Sequence, residues 1–130
     1  MNMSTAYKPE GYNNVSPYLV VNGAEETIAF LSAVFDGQEI RRFPSETGGI
    51  MHAEVRVGDS VIMLADGVEQ WPAFPAHVHV YVPDVDAAYQ RALKAGAASV
   101  QEPQQKEDED RRGGVLGPGG ITWWMATKVD

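Results

Sequence analysis

The chain carries one pattern twice. Residues 16–37, SPYLVVNGAEETIAFLSAVFDG, read as an apolar strand, a tight turn, an amphipathic helix and a glycine stop, and residues 77–96, HVHVYVPDVDAAYQRALKAG, repeat that order. Val21 and Val82 hold matching places about 60 residues apart, and each unit is followed by further strand-like runs. A repeat of this length is one supersecondary unit used twice. It predicts an α+β fold of two βαβββ modules, with curved mixed sheets around a cleft between the copies and helices on the outer face. Module one covers about 14–66, residues 67–75 form a linker, and module two covers about 76–128, all within a single domain over 1–130.

Local periodicity fills in the elements. Ser16–Asn22 reads as a strand and Asn22-Gly23 as a turn. Across Ala24–Phe35, Ile28, Leu31, Val34 and Phe35 recur at three- and four-residue spacing, with Phe30 at the stripe's edge, so one helix face is apolar. Glu25 and Glu26 suit the positive end of that helix, and Gly37 is placed as its left-handed stop. Strands follow at Gln38–Phe43, Ile50–Val57 and Val61–Ala65. Ile50–Val57 alternates, with Met51, Ala53, Val55 and Val57 on one face and His52, Glu54 and Arg56 on the other. The linker, with its two prolines, is stiff; Trp71 and Phe74 in it either close over a cavity or pack the linker down. In the second copy Val78, Val80 and Val82 face the helix Val85–Ala95, capped by Asp84, while His77, His79 and Tyr81 face away. Ser99–Glu102 is a short strand, residues 103–112 (PQQKEDEDRR) a solvated loop, and Gly113–Leu116 and Ile121–Thr127 complete the sheet. The glycine pairs at 113–114 and 119–120 read as hairpin turns, not a nucleotide cradle.

Composition narrows the class. With 130 residues the chain is long enough for a core without staples, and zero cysteines exclude a disulfide scaffold, a thiol nucleophile and a thiolate metal site. A cysteine-free chain with no signal-type N-terminus and no run near the ~20 apolar residues of a membrane span is expected in the cytoplasm. A net charge of −8 argues against nucleic acid or an anionic membrane as partner and leaves room for a cationic ligand.

Segments in order then bring a family into view: KPEGY at 8–12, PYLVV at 17–21, IMHAEVRVGDSVIMLAD at 50–66, HVHVYVPDVDAAYQRALKAGA at 77–97, DRRGGV at 110–115 and GPGGITWW at 117–124. Together they resemble the vicinal oxygen chelate superfamily (glyoxalase I, bleomycin-resistance proteins, fosfomycin-resistance enzymes and extradiol dioxygenases), and most of all its glyoxalase-like, uncharacterised bacterial branch. The resemblance implies a homodimer with cavities formed by half-open sheets. In metal-dependent members it implies a divalent ion held by His and Glu from the first and last strands of each copy, acting as a Lewis acid. Carried over residue by residue, those positions fall on Ser16, Met63, His77 and Trp124, of which His77 alone is a good ligand. Where the branch commonly has Asp-Pro-Phe-Gly-His before the Trp pair, this chain has Gly117-Pro118-Gly119-Gly120-Ile121.

The expected cavity residues are therefore Tyr18, His52, Glu54, Arg56, Met63, His77, His79 and Trp124. His77 and His79 share a strand face; two imidazoles at that spacing chelate a metal, act as a base, or merely line a wall. His52, Glu54 and Arg56 orient a polar ligand or form a cross-strand ladder. One of Trp123 and Trp124 is core, and on the family register Trp124 supplies a flat wall in place of a carboxylate. Met63 suits an adaptable pocket. The resulting expectation is a protein that binds a small organic molecule without cofactor or metal. The alternative is a metal-dependent lyase, isomerase or dioxygenase built on His77 with unconventional partners.

Overall fold

Strand alternation and helical periodicity sort the chain into ten regular elements in the computed structural model, which describes residues 7–129. Module one runs β1 (Tyr18–Val21), α1 (Ala24–Phe35), β2 (Gln38–Pro44), β3 (Ile50–Val57) and β4 (Ser60–Asp66). Module two runs β5 (Ala76–Tyr81), α2 (Val85–Lys94), β6 (Ala98–Gln105), β7 (Asp110–Leu116) and β8 (Ile121–Lys128), with a short 3₁₀ turn at Pro118–Gly120. Each module forms its own mixed four-stranded sheet, ordered β1-β4-β3-β2 and β5-β8-β7-β6. In both, the first strand pairs in parallel with the last and the remaining pairs are antiparallel. The fold is thus α+β, two βαβββ modules with unclosed sheets.

The duplication predicts a cleft between the copies; the modules instead meet through their helix sides. Helix α1 packs on α2 and on the 118–120 turn. Trp123 of β8, fully buried, sets its ring against Phe30 and Phe35 of α1 at centroid distances of 6.0 and 5.6 Å. Phe30, expected at the edge of the apolar stripe, stands in the middle of this cluster. Arg91 of α2 donates from Nε and Nη2 to the Val34 carbonyl, tying α1 to α2. Leu19, Val21, Val78 and Val80 face this shared core, and the opposite sheet faces are left open.

Helix α1 has no side-chain cap of its own: its N-cap is Gly23, in the left-handed region at φ 95°. The cap comes from the end of β4. Asp66 Oδ1 accepts from the Gly23 and Ala24 amides (3.3 and 2.8 Å), and Oδ2 accepts from Ile50 N at 2.8 Å. Burial alone would raise this carboxyl's pKa, yet the three backbone donors hold it below the usual carboxylate range. Helix α2 is capped as expected, Asp84 accepting from Ala87 N at 3.1 Å.

Four local expectations are corrected. The left-handed stop of α1 is Asp36 (φ 56°), whose amide donates to Leu31 O. Gly37 serves close approach instead, since a Cβ there would lie 2.9 Å from Val55 Cγ1. Met51 leaves the helix face: Phe43 pairs with His52 and Pro44 with Ile50, so Met51 is a bulge residue, 60% exposed. Residues 103–112 are not a solvated loop throughout, because β6 reaches Gln105 and β7 begins at Asp110, which is buried and accepts from the Tyr81 hydroxyl at 2.7 Å. Gly113 and Gly114 lie inside β7, not in a turn. Residues 1–6 lie outside the described residues. No helix among the described residues is long and apolar enough to cross a membrane.

Asp66 sets a stability prediction. Asp66→Ala leaves three amide donors without their acceptor and is expected to cost about 2 kcal/mol, read from urea midpoints. The native carboxyl pKa is depressed, so the contribution of Asp66 is full above about pH 4 and is lost as pH falls through the native value. The gap between the native protein and Asp66→Ala should therefore narrow in acid; a gap independent of pH contradicts this role.

Candidate functional site

The open face of the module-one sheet carries a hydrogen-bonded polar row set by strand register. Tyr18 pairs with Met63, Met63 with Glu54 and Glu54 with Arg41, so these four lie in line across β1, β4, β3 and β2. His52 lies two residues from Glu54 on the same face of β3. Its Nδ1 is 3.0 Å from the Tyr18 hydroxyl and its Nε2 2.7 Å from Glu54 Oε2. The Tyr12 hydroxyl donates to Glu54 Oε1 at 2.5 Å, and Arg41 Nε stands 3.9 Å from the same oxygen. Glu54 is 3% exposed. Burial would raise its pKa, but the hydrogen bonds from His52 and Tyr12 and the Arg41 charge hold it below the usual carboxylate range. The hydrogen bond to Glu54 also pushes the Tyr12 phenol up.

Residues 7–14 form an N-terminal arm that reaches this face. Besides Tyr12, the Gly11 carbonyl accepts from Arg56 Nη1 at 2.7 Å and Asn13 Oδ1 accepts from Val61 N at 3.0 Å. Arg56 thus holds backbone of the arm. No local pattern around Tyr12 or Arg41 points to this docking, because its partners lie about 40 or more residues away or on a neighbouring strand.

Next to this row lies a cavity of about 840 Å³, within the usual range for small-molecule sites. Its wall is mainly apolar: Val20, Ile50, Met51, Ala65, Val68 and Trp71, with Tyr18, Asp66, Ser45 and Thr47 as polar groups. Tyr18 joins the cavity to the polar row. All lining residues fall between 18 and 71, so the cavity belongs to module one and its linker. Trp71 is 72% and Phe74 69% exposed, so the linker indole stands at the wall and is not packed away.

The open face of the second sheet is separate. His77 Nδ1 accepts from the Trp124 indole N–H at 3.0 Å, and the two rings are near parallel (9°) with centroids 6.3 Å apart. Gly114 makes room for that indole: a Cβ there would lie 2.6 Å from two of its ring carbons. Arg112 Nε donates to His79 Nε2 at 3.1 Å and Arg112 Nη2 to Asp110 Oδ2 at 2.9 Å. Burial and then the Arg112 charge lower the His79 pKa, favouring the neutral ring. Asp110 and Arg112 occupy alternate positions of β7 and could have been read as one strand face; the acidic run before them masked that alternation.

The eight expected cavity residues thus divide into two sets. Tyr18, His52, Glu54, Arg56 and Met63 share the module-one sheet, and His77, His79 and Trp124 share the other. At the positions where the family resemblance implies metal ligands, Ser16 precedes β1, Met63 offers a thioether, and the His77 Nδ1 lone pair is taken by the Trp124 N–H. Among the described residues no group of three His, Cys, Asp or Glu side chains is arranged to hold a metal ion. This donor set does not fit a divalent centre, which needs three or more N/O ligands.

Comparison with known proteins places the chain. It is 36% identical over 126 residues to an uncharacterized protein of Mycobacterium bovis, covering 88% of this chain and 83% of that one. A Mycobacterium tuberculosis protein shows the same identity, with 74% of its length covered. TioX from Micromonospora sp. ML1 superposes with a TM-score of 0.76 at 25% identity, covering 90% of this chain and 99% of that chain. TnmS3, an antibiotic binding protein from Streptomyces sp. CB03234, shares the fold, with a TM-score of 0.67, 18% identity, and coverage of 90% and 99%. The Glyoxalase/Bleomycin resistance protein/Dioxygenase family profile matches residues 12–125. With nearly the whole chain inside that match and two βαβββ modules formed, this protein belongs to the glyoxalase/bleomycin resistance protein/dioxygenase superfamily.

Proposed function

We propose that this protein binds a small, mostly apolar organic molecule in the module-one cavity, without a divalent metal. The observation that carries the reading is the cavity itself, about 840 Å³ walled by Val20, Ile50, Met51, Val68 and Trp71 with a few polar groups. Such a wall rewards ligands by area removed from water and by stacking on the indole. The expected flat wall at Trp124 lies on the other sheet; in this reading Trp71 provides it. The antibiotic-binding description of TnmS3, on the same fold, supports a ligand of that kind, and the net charge of −8 favours a cationic one. The donor set at the implied metal positions supports binding over Lewis-acid chemistry. A chain with zero cysteines fits a cytoplasmic setting.

The same reading includes a homodimer. Met51, Val68, Trp71 and Phe43 are large apolar side chains exposed on or beside the cavity face, where a partner surface would remove them from water. A second copy would cover them and close the cavity.

Two measurements test this. A panel of bleomycin-type drugs and planar aromatic amines should include a compound that quenches Trp fluorescence saturably, equally with and without chelator. Trp71→Phe should remove most of that quench, because Trp123 is buried and Trp124 is on the other sheet. Absence of quenching by every compound contradicts the reading. Light scattering at micromolar concentration should give twice the 14.2 kDa chain mass; a monomer overturns the dimer.

A further inference from the structure

We infer that Tyr18 is the polar selector of the cavity, fixed as a hydrogen-bond acceptor by the Glu54–His52 pair, so that the site takes apolar ligands carrying a hydrogen-bond donor. The inference rests on the cavity reading above and names the chemistry of the ligand.

The polarity follows from counting protons along the chain of contacts. Glu54 is buried, and its carboxylate accepts from Tyr12 on one oxygen. An ionised carboxylate offers no proton, so the 2.7 Å contact between Oε2 and His52 Nε2 takes its hydrogen from the imidazole. In a neutral ring the other nitrogen, Nδ1, is then a bare lone pair. The one proton available for the 3.0 Å contact between Nδ1 and Tyr18 is the phenol's own. The Tyr18 O–H is committed to His52, and what the hydroxyl oxygen has left for the cavity is acceptor capacity. Arg41 and Tyr12 stand around the carboxylate and keep it charged, and the Phe43 ring flanks His52 at 6.1 Å, so the imidazole is held in place on several sides.

Most other polar groups of the wall bond within the protein or, like Tyr18 itself at 51% exposure, meet water. Both Asp66 oxygens accept backbone amides, Ser45 Oγ accepts from Gly49 N and contacts Thr47 Oγ1, and Asn22 is exposed. Tyr18 is the lining group whose polarity the Glu54–His52 pair fixes. A donor group placed against it gains one hydrogen bond; an acceptor placed there meets lone pairs and leaves its own desolvation uncompensated.

The test uses three neutral probes of one shape: naphthalene, 2-naphthol and 2-methoxynaphthalene, titrated at about pH 8 by calorimetry or protein NMR. Naphthol carries a donor, the ether only an acceptor. In the native protein naphthol should bind about tenfold tighter than the ether, the size of one net hydrogen bond. Tyr18→Phe should bring the ratio to about one by weakening naphthol. His52→Phe keeps a ring between Tyr18 and Phe43 but frees the phenol O–H to donate. The ratio should again collapse, now because the ether binds more tightly, a gain that mere loss of packing does not produce. A native ratio within about twofold, or a preference that survives Tyr18→Phe, overturns the inference while leaving the cavity reading intact. Failure of naphthalene itself to bind overturns the cavity reading, and this inference falls with it.

Discussion

The contact between Trp123 and the aromatic pair Phe30 and Phe35 governs the rest of the structure. It joins the last strand of one module to the first helix of the other, and none of the three rings keeps more than a small fraction of its surface in water. Truncating a buried Trp of this kind typically costs about 3–5 kcal/mol, a large share of a small domain's stability. Two glycines allow the approach. A Cβ at Gly117 would sit 3.0 Å from the Trp123 ring, and one at Gly119 would sit 2.7 Å from Val21 Cβ. Because the helix sides are committed to each other, each sheet presents its other face outward. The polar rows and the cavity are where they are for that reason.

Most of the fold was legible in the sequence, because it depends on periodicities that few residues violate. The repeat, the span of α1, the alternation of β3 and β5 and the Asp84 cap all express local rules. The misses share a cause. Asp110 looks like a loop residue until the Tyr81 hydroxyl and the Arg112 guanidinium are brought to it by pairing across the sheet. Met51 follows alternation until a bulge turns it out. Gly114 looks like a turn until Trp124 is laid over it. In each case a tertiary contact overrides the composition of the segment.

The site was legible as residue types and less so as an arrangement. Alternation on β3 singled out His52 and Glu54, and register supplied Tyr18, but nothing local joined them to Tyr12 or Arg41. The cavity draws on the linker and the bulge, two irregular features that periodic patterns do not describe. The two modules have also diverged in chemistry on a common frame. One face holds a buried carboxylate, an imidazole and a phenol in series; the other has an imidazole hydrogen-bonded to an indole and a second bonded to an arginine. The apolar core lies on the helix side, so the two open faces can differ in chemistry on one frame.

The central claim is that a ligand is held by the module-one cavity through its own side chains. Amide chemical-shift mapping of the isotopically labelled protein with a saturating aromatic ligand, in the presence of chelator, tests it most directly. The account predicts shifts concentrated at Tyr18, Val20, Ala65, Val68 and Trp71, with β5 and β8 quiet. Shifts confined to His77, His79 and Trp124, or appearing only after a divalent metal is added, would contradict it.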